Sequence, residues 1–187
     1  MEKTDILLPG EHNVENYMAA ILAVEGLVED ETIRQVARTF GGVEHRIELV
    51  RVKDGVRYYN DSIASSPTRT IAGLKSFPEK VLLIAGGYDK HIPYDVLGPE
   101  VCAHVKKLFL GGATGPQIRA AVENAPEYRP GYPEIVDCAD FTAAVHAAVA
   151  AAESGDVVLM SPASAAFDQF KNFMVRGDYF KKLIMEL

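Results

Sequence analysis

The sequence predicts an α/β protein, with a mostly parallel sheet, helices on both faces, a β-hairpin at its start and two short helices ahead of it. Three observations carry that expectation. Short apolar runs at 81–85, 107–110 and 157–160 read as strands buried on both faces. Segments with apolar residues at helical spacing separate them. Residues 47–52 and 56–59 alternate around Lys53-Asp54-Gly55, a hairpin pattern.

Each element follows in order. A helix is expected over 13–27, with Tyr17, Ala20, Ile21, Val24 and Leu27 on one face and Asn13 as N-cap. A second helix covers 30–40 and stops at Gly41-Gly42. After the hairpin, helices at 68–76, 94–104, 117–124 and 141–154 alternate with strands at 81–85, 107–110, 134–136 and 157–160. Asp140 caps the fourth of these helices and Gly155 closes it. A final helix covers 174–187. The change from helices to strands near residue 43 divides the chain into 1–42 and 43–187, and two short helices alone bury too little to fold.

Composition narrows the function. The 187 residues carry a formal charge of −7, which disfavours a nucleic-acid backbone binder. No apolar run is long enough to span a bilayer, and the charged start of the chain lacks a signal-peptide core. Cys102 and Cys138 fit no metal spacing and read as thiols of a reducing compartment. The histidines show no zinc pattern, and no Ser/His/Asp nucleophilic set stands out.

In a parallel sheet, ligands sit beyond the carboxyl ends of the strands. Four segments fall there: Asn60-Asp61-Ser62, Gly86-Gly87-Tyr88-Asp89-Lys90, Gly111-Gly112-Ala113-Thr114 and the run from Ser161 to Phe173. The last passes from a strand through small residues into a helix, which exposes main-chain N–H groups to an anion. Lys90 would bring an ammonium to the same rim; a solvated lysine in a glycine turn is the competing reading. Asp61 could accept from sugar hydroxyls, and Ser65 or Ser66 could cap a helix or donate to an anion. His45-Arg46 lies at the junction of the two parts, where a guanidinium suits phosphate and a salt bridge to Glu44 or Glu48 is the alternative.

Together, these motifs resemble those of the Mur ligases of peptidoglycan synthesis. They are Gly10-Glu-His-Asn-Val-Glu-Asn16, His45-Arg46, Asn60-Asp61-Ser62, Gly86-Gly87 with Lys90, and Ser161-Pro-Ala-Ser-Ala-Ala-Phe-Asp-Gln-Phe-Lys-Asn-Phe173 followed by Arg176-Gly177. The last is most similar to the branch that adds D-glutamate to UDP-N-acetylmuramoyl-L-alanine through an acyl phosphate. The resemblance implies that 43–187 is a Rossmann-like C-terminal domain and that 1–42 are the last helices of a central ATP-binding domain. It further implies that the N-terminal domain and most of the central domain are missing, and that the fragment is catalytically silent in the cytoplasm.

By the same resemblance, Asn13 and Asn16 contact adenine, Arg46 the nucleotide phosphates and Asp61 the ribose. Lys90, Ser65 and the Phe173 backbone hold the D-glutamate carboxylates, beside Phe167. ATP and Mg2+ are implied, bound mostly by the missing central domain, with no catalytic residue and no metal ligand in this chain. Two departures stand out. Ile63 replaces a lysine of many relatives and Ala166 a serine, for which Ser164 or a main-chain N–H could substitute. Another amide ligase of the superfamily and a stand-alone anion-binding module remain the alternatives.

Overall fold

A computed structural model describes residues 2–8 and 10–187, the side chain of His12 excepted. The chain divides into two compact units, Met1–Val43 and Glu44–Leu187.

The first unit holds a 3-10 turn, Lys3–Asp5, and two helices, α1 (Glu11–Ala23) and α2 (Asp30–Thr39). Arg38 pairs with Asp5 at 2.9 Å and the Leu7 amide donates to the Ala37 carbonyl at 2.9 Å. The expected cap at Asn13 is corrected. Gly10, at φ 99°, is the N-cap, and Asn13 lies inside the first turn. Helix α1 also stops at Ala23, before the expected Leu27, because the chain turns through Gly26 at φ 74°.

The second unit is a six-stranded sheet ordered β1-β2-β6-β3-β4-β5. Its strands are β1 (Glu48–Lys53), β2 (Val56–Asn60), β3 (Val81–Ala85), β4 (Val105–Leu110), β5 (Glu134–Asp137) and β6 (Val157–Met160). Only the β1–β2 hairpin is antiparallel; β2–β6, β6–β3, β3–β4 and β4–β5 are parallel. The helices are α3 (Pro67–Leu74), α4 (Leu97–His104), α5 (Gly115–Glu123), α6 (Phe141–Ala151) and α7 (Phe173–Met185).

Strand alternation explains why the sheet is covered twice. Val81, Leu83, Ala85, Val157 and Leu159 pack with Leu74, Leu97, Val101, Ile118 and Val122 of α3, α4 and α5. Leu82, Ile84, Val158 and Met160 point the other way, onto Phe141, Val145, Phe180 and Ile184 of α6 and α7. Both sets are buried, so the central strands read as continuous apolar runs rather than alternating ones.

Several boundaries move for local reasons. Helix α3 begins at Pro67, whose fixed φ and missing N–H suit a first helical position. Helix α4 begins at Leu97 instead of residue 94, after a turn in which the Leu97 amide donates to the Tyr94 carbonyl at 2.8 Å. Strand β4 starts at Val105, with no loop after α4. Helix α6 ends at Ala151, ahead of a turn in which the Glu153 amide donates to Asp156 Oδ2 at 2.9 Å.

Candidate functional site

The strand order sets the site. Strand β6, last in sequence, lies between β2 and β3. The segment leaving β6 therefore runs between those leaving β2 and β3. Main-chain bonds stitch it to the latter: Gly86 N–H donates to Pro162 O at 2.9 Å and Tyr88 N–H to Ala165 O at 2.8 Å. Gly86 must be glycine. At φ 113°, a Cβ would overlap the Gly111 carbonyl oxygen.

A buried chain of hydroxyls fixes the Gly86-Gly87 turn from below. Gly87 N–H donates to Thr114 Oγ1 at 3.0 Å; Thr114 Oγ1 and Ser164 Oγ are 2.8 Å apart, as are Ser164 Oγ and the Tyr94 hydroxyl. Ser164 is thus committed inside the protein and 1% exposed, which disfavours its substituting for the hydroxyl missing at Ala166.

The segment from Phe167 to Phe173 splits between scaffold and rim. Asp168 accepts from Ala113 N–H at 3.4 Å and Gln169 Oε1 from Phe141 N–H at 3.0 Å, at the start of α6. Phe170 packs edge-on against Phe141, and Asn172 caps α7 by accepting from Val175 N–H at 2.9 Å. Phe167 faces outward, 60% exposed, with its ring edge-on to Tyr88. Among the described residues, the amides of Ala166, Phe167 and Asp168, and those of Phe173 and Met174 at the start of α7, donate to nothing. Those of Phe173 and Met174 open α7, and those of residues 166–168 belong to the turn that precedes it.

Lys90 is exposed and makes no ion pair among the described residues. Ser65 is half-buried on the segment after β2, its hydroxyl without a partner there. Arg46 is exposed and makes no ion pair among the described residues, so the alternative of a salt bridge to Glu44 or Glu48 does not form. Those two acids meet Lys181 instead, Glu48 at 3.6 Å. Asn13 and Asn16 lie in the first unit, where Asn16 Nδ2 donates to Asn13 Oδ1 at 3.4 Å.

Asp61 is the most altered acid. It is buried, Oδ1 accepting from Ile47 N–H at 3.3 Å and Oδ2 from Ser161 Oγ at 2.7 Å. Burial pushes its carboxyl up from 3.8 to about 7, against the pull of Ser161, Ile47, Arg46 and Arg69. Ser161 Oγ also lies 3.0 Å from Thr70 Oγ1. Ser161 has one hydroxyl proton to share between Asp61 and Thr70, and the Thr70 hydroxyl in turn lies 3.3 Å from the Ser161 carbonyl oxygen.

Two residues that sequence reasoning quoted without a role hold the site together. Arg176, 1% exposed, donates through Nε to Ser62 Oγ at 3.0 Å, Nη1 to Ala165 O at 3.1 Å, and Nη2 to Ser62 O at 3.0 Å and Ser164 O at 3.1 Å. The Ser62 hydroxyl in turn donates to Phe173 O at 2.7 Å. His45 is buried, with Nδ1 3.0 Å from Asn60 Nδ2. The Asn60 amide is oriented, because Oδ1 accepts from Ser62 N–H at 3.1 Å and Nδ2 donates to Glu48 at 3.0 Å. Nδ1 of His45 must therefore accept, and its proton sits on Nε2. Glu44, His45 and Asp178 cluster closely enough to suggest a cation. That tautomer denies a metal the Nε2 lone pair, and Lys181 already meets Glu44 and Asp178. The trio is a poor fit for a metal.

The motif Arg176-Gly177 was the available signal for the first residue; a buried arginine serving main-chain carbonyls has no sequence signature of its own.

Residues 45–164 match the family described as Mur ligase, glutamate ligase domain. The UDP-N-acetylmuramoylalanine–D-glutamate ligase of Acetivibrio thermocellus is 56% identical over 184 residues, 97% of this chain and 39% of that protein. The enzyme of the same name from Clostridium perfringens is 49% identical, over 98% and 40%. The chain thus spans about 40% of the length of the curated relatives it matches. Among solved structures, UDP-N-acetylmuramate-alanine ligase from Thermotoga maritima superposes with a TM-score of 0.70 at 14% identity, covering 97% of this chain and 39% of that one. Mycobacterium tuberculosis folylpolyglutamate synthase superposes with a TM-score of 0.65 at 14% identity, over 94% and 41%. At such identities the likeness is one of fold.

Proposed function

Since the chain belongs to the Mur ligase family through its glutamate ligase domain, we propose that Glu44–Leu187 seats the incoming amino acid, D-glutamate, of a peptidoglycan ligase acting on UDP-N-acetylmuramoyl-L-alanine. The observation that carries this is the set of unpartnered amides at 167–168 and 173–174, on the segment after β6, next to the segment after β3 that bears Lys90. A dicarboxylate needs a cation and oriented N–H donors, and both are available without breaking an internal bond. Ser65 supplies a free hydroxyl at the neighbouring strand end, and Phe167 an apolar edge for the ligand's methylenes.

The reaction asks this part of the protein chiefly to hold the amine nucleophile in position. ATP would activate the acceptor carboxyl as an acyl phosphate, with magnesium neutralising phosphoryl charge; the remaining length of the relatives would supply that machinery. Arg46, free and exposed, is suited to phosphate, and Asn13 and Asn16 to a base. Asp61 could reach a ribose hydroxyl only by giving up part of its present bonding. The activated nucleotide substrate and the two unpaired cysteines favour a cytoplasmic setting.

The test is a titration of the 187-residue chain with D-glutamate, L-glutamate, L-alanine and D-alanine, followed by amide chemical shifts. Saturable shifts confined to 62–66, 86–90, 164–168 and 173–176, strongest for D-glutamate, are expected. Preference for L-alanine or L-glutamate would move the protein to another amide-ligase class, and no saturation with any of them would end the proposal.

A further inference from the structure

The guanidinium of Arg176 ties together the segments that follow β2 and β6 and lies beside the one that follows β3. It binds Ser62 at the end of β2 and the Ser164 and Ala165 carbonyls after β6. It also lies behind Gly87 after β3, where a Cβ would stand 3.1 Å from Nη1. These segments carry Ser65, Phe167 with Phe173, and Lys90.

Its charge is not matched. All four of its hydrogen bonds go to neutral oxygens, and it forms no ion pair among the described residues. Carbonyl dipoles soften a buried cation but do not cancel it. Burial lowers its pKa to about 10, opposed by the field of Asp168, and at neutral pH it remains protonated. The Asp168 carboxylate offsets that charge in part, without forming an ion pair with it among the described residues. A fixed positive charge bonded to the Ser164 and Ala165 carbonyls, just before the unpartnered amides of residues 167–168, raises the potential where an anion would sit.

Building on the proposed D-glutamate site, we propose that Arg176 is a specificity-determining positioning residue. It selects a dianionic amino acid over a neutral-side-chain one through its buried charge, without touching the ligand. It also accounts for how the site tolerates Ala166, since the buried charge stands in for the missing hydroxyl.

The experiment compares D-glutamate with D-glutamine, which differ by one charge at nearly equal size, on the full chain with Arg176, with Arg176→Lys and with Arg176→Gln. Affinities come from amide-shift titrations, and folding of each variant from its urea transition. The expected result is a fall of about tenfold in the D-glutamate to D-glutamine affinity ratio for Arg176→Gln, equivalent to ~1.4 kcal/mol. Arg176→Lys should keep the ratio within about twofold while weakening both ligands, because charge survives and the fork is lost. Should Arg176→Gln not fold, Arg176→Lys decides alone: a retained ratio supports charge selection and a collapsed ratio overturns it. Equal losses for both ligands in every variant would reduce Arg176 to scaffold and overturn the inference while leaving the pocket in place. Failure of the unchanged chain to bind D-glutamate would instead remove the site, and the inference with it.

Discussion

Gly177 lies directly against the His45 ring. A Cβ at 177 would overlap Nδ1, stand 2.9 Å from Cε1 and come within 3.1 Å of Asn60 Nδ2. Helix α7 therefore approaches the ends of β1 and β2 closely enough to fix His45, and with it the backbone that presents Arg46. His45 itself adopts φ 65°, a conformation unusual for a residue with a side chain.

Gly177→Ala should force His45 off Asn60 and leave the His45 Nδ1 acceptor unpaired. A loss of about 2 kcal/mol is expected from overpacking at a buried site, read from urea unfolding. A change below ~0.5 kcal/mol would show that α7 can shift to make room.

Asp61 should make stability depend on pH. Unfolded, its carboxyl ionises near 3.8; folded, near 7, because burial disfavours the charge. Between those values the folded state holds the extra proton. Its contribution is complete below the unfolded value and is lost as pH rises through 7, with a slope of up to ~1.4 kcal/mol per pH unit. Asp61→Asn should flatten that slope in urea midpoints measured from pH 4.5 to 8. Identical slopes in both proteins would show that another group titrates.

Thr114→Val removes the acceptor for the Gly87 amide and the link to Ser164. The expected cost is about 2 kcal/mol, with faster hydrogen exchange at Gly87, whereas Thr114→Ser should restore most of it. Unchanged exchange at Gly87 would show that the turn does not depend on the hydroxyl chain.

Lys90→Met tests the rim cation separately from folding. Lys90 is exposed and unpaired, so the urea midpoint should not move. D-Glutamate affinity should fall roughly tenfold. Equal affinity would exclude Lys90 from the carboxylate contacts.

The central strands and their order along the chain were legible because burial on both faces leaves continuous apolar runs such as 81–85 and 157–160. Helix ends were less so. Asn13 is a good capping type, yet Gly10 takes the position because only its backbone turns that way at no cost. Lys90 and Ser65 lie on segments that the alternation of strands and helices puts at strand ends, whereas Phe167 was nominated through the family resemblance alone.

By itself, the sequence determined the alternation of strand and helix, the hairpin at the start of the sheet and the segments that fall at the strand ends. Local pattern and turn chemistry suffice for those. The tertiary structure decided which side chains of those segments remain free for a ligand. Ser164 and Asp61 are drawn inside by hydroxyl partners 50 and 100 residues away, and Arg176 reaches Ser62 across 114 residues. Such partners are set by β6 inserting between β2 and β3, a long-range pairing that no local window of residues encodes.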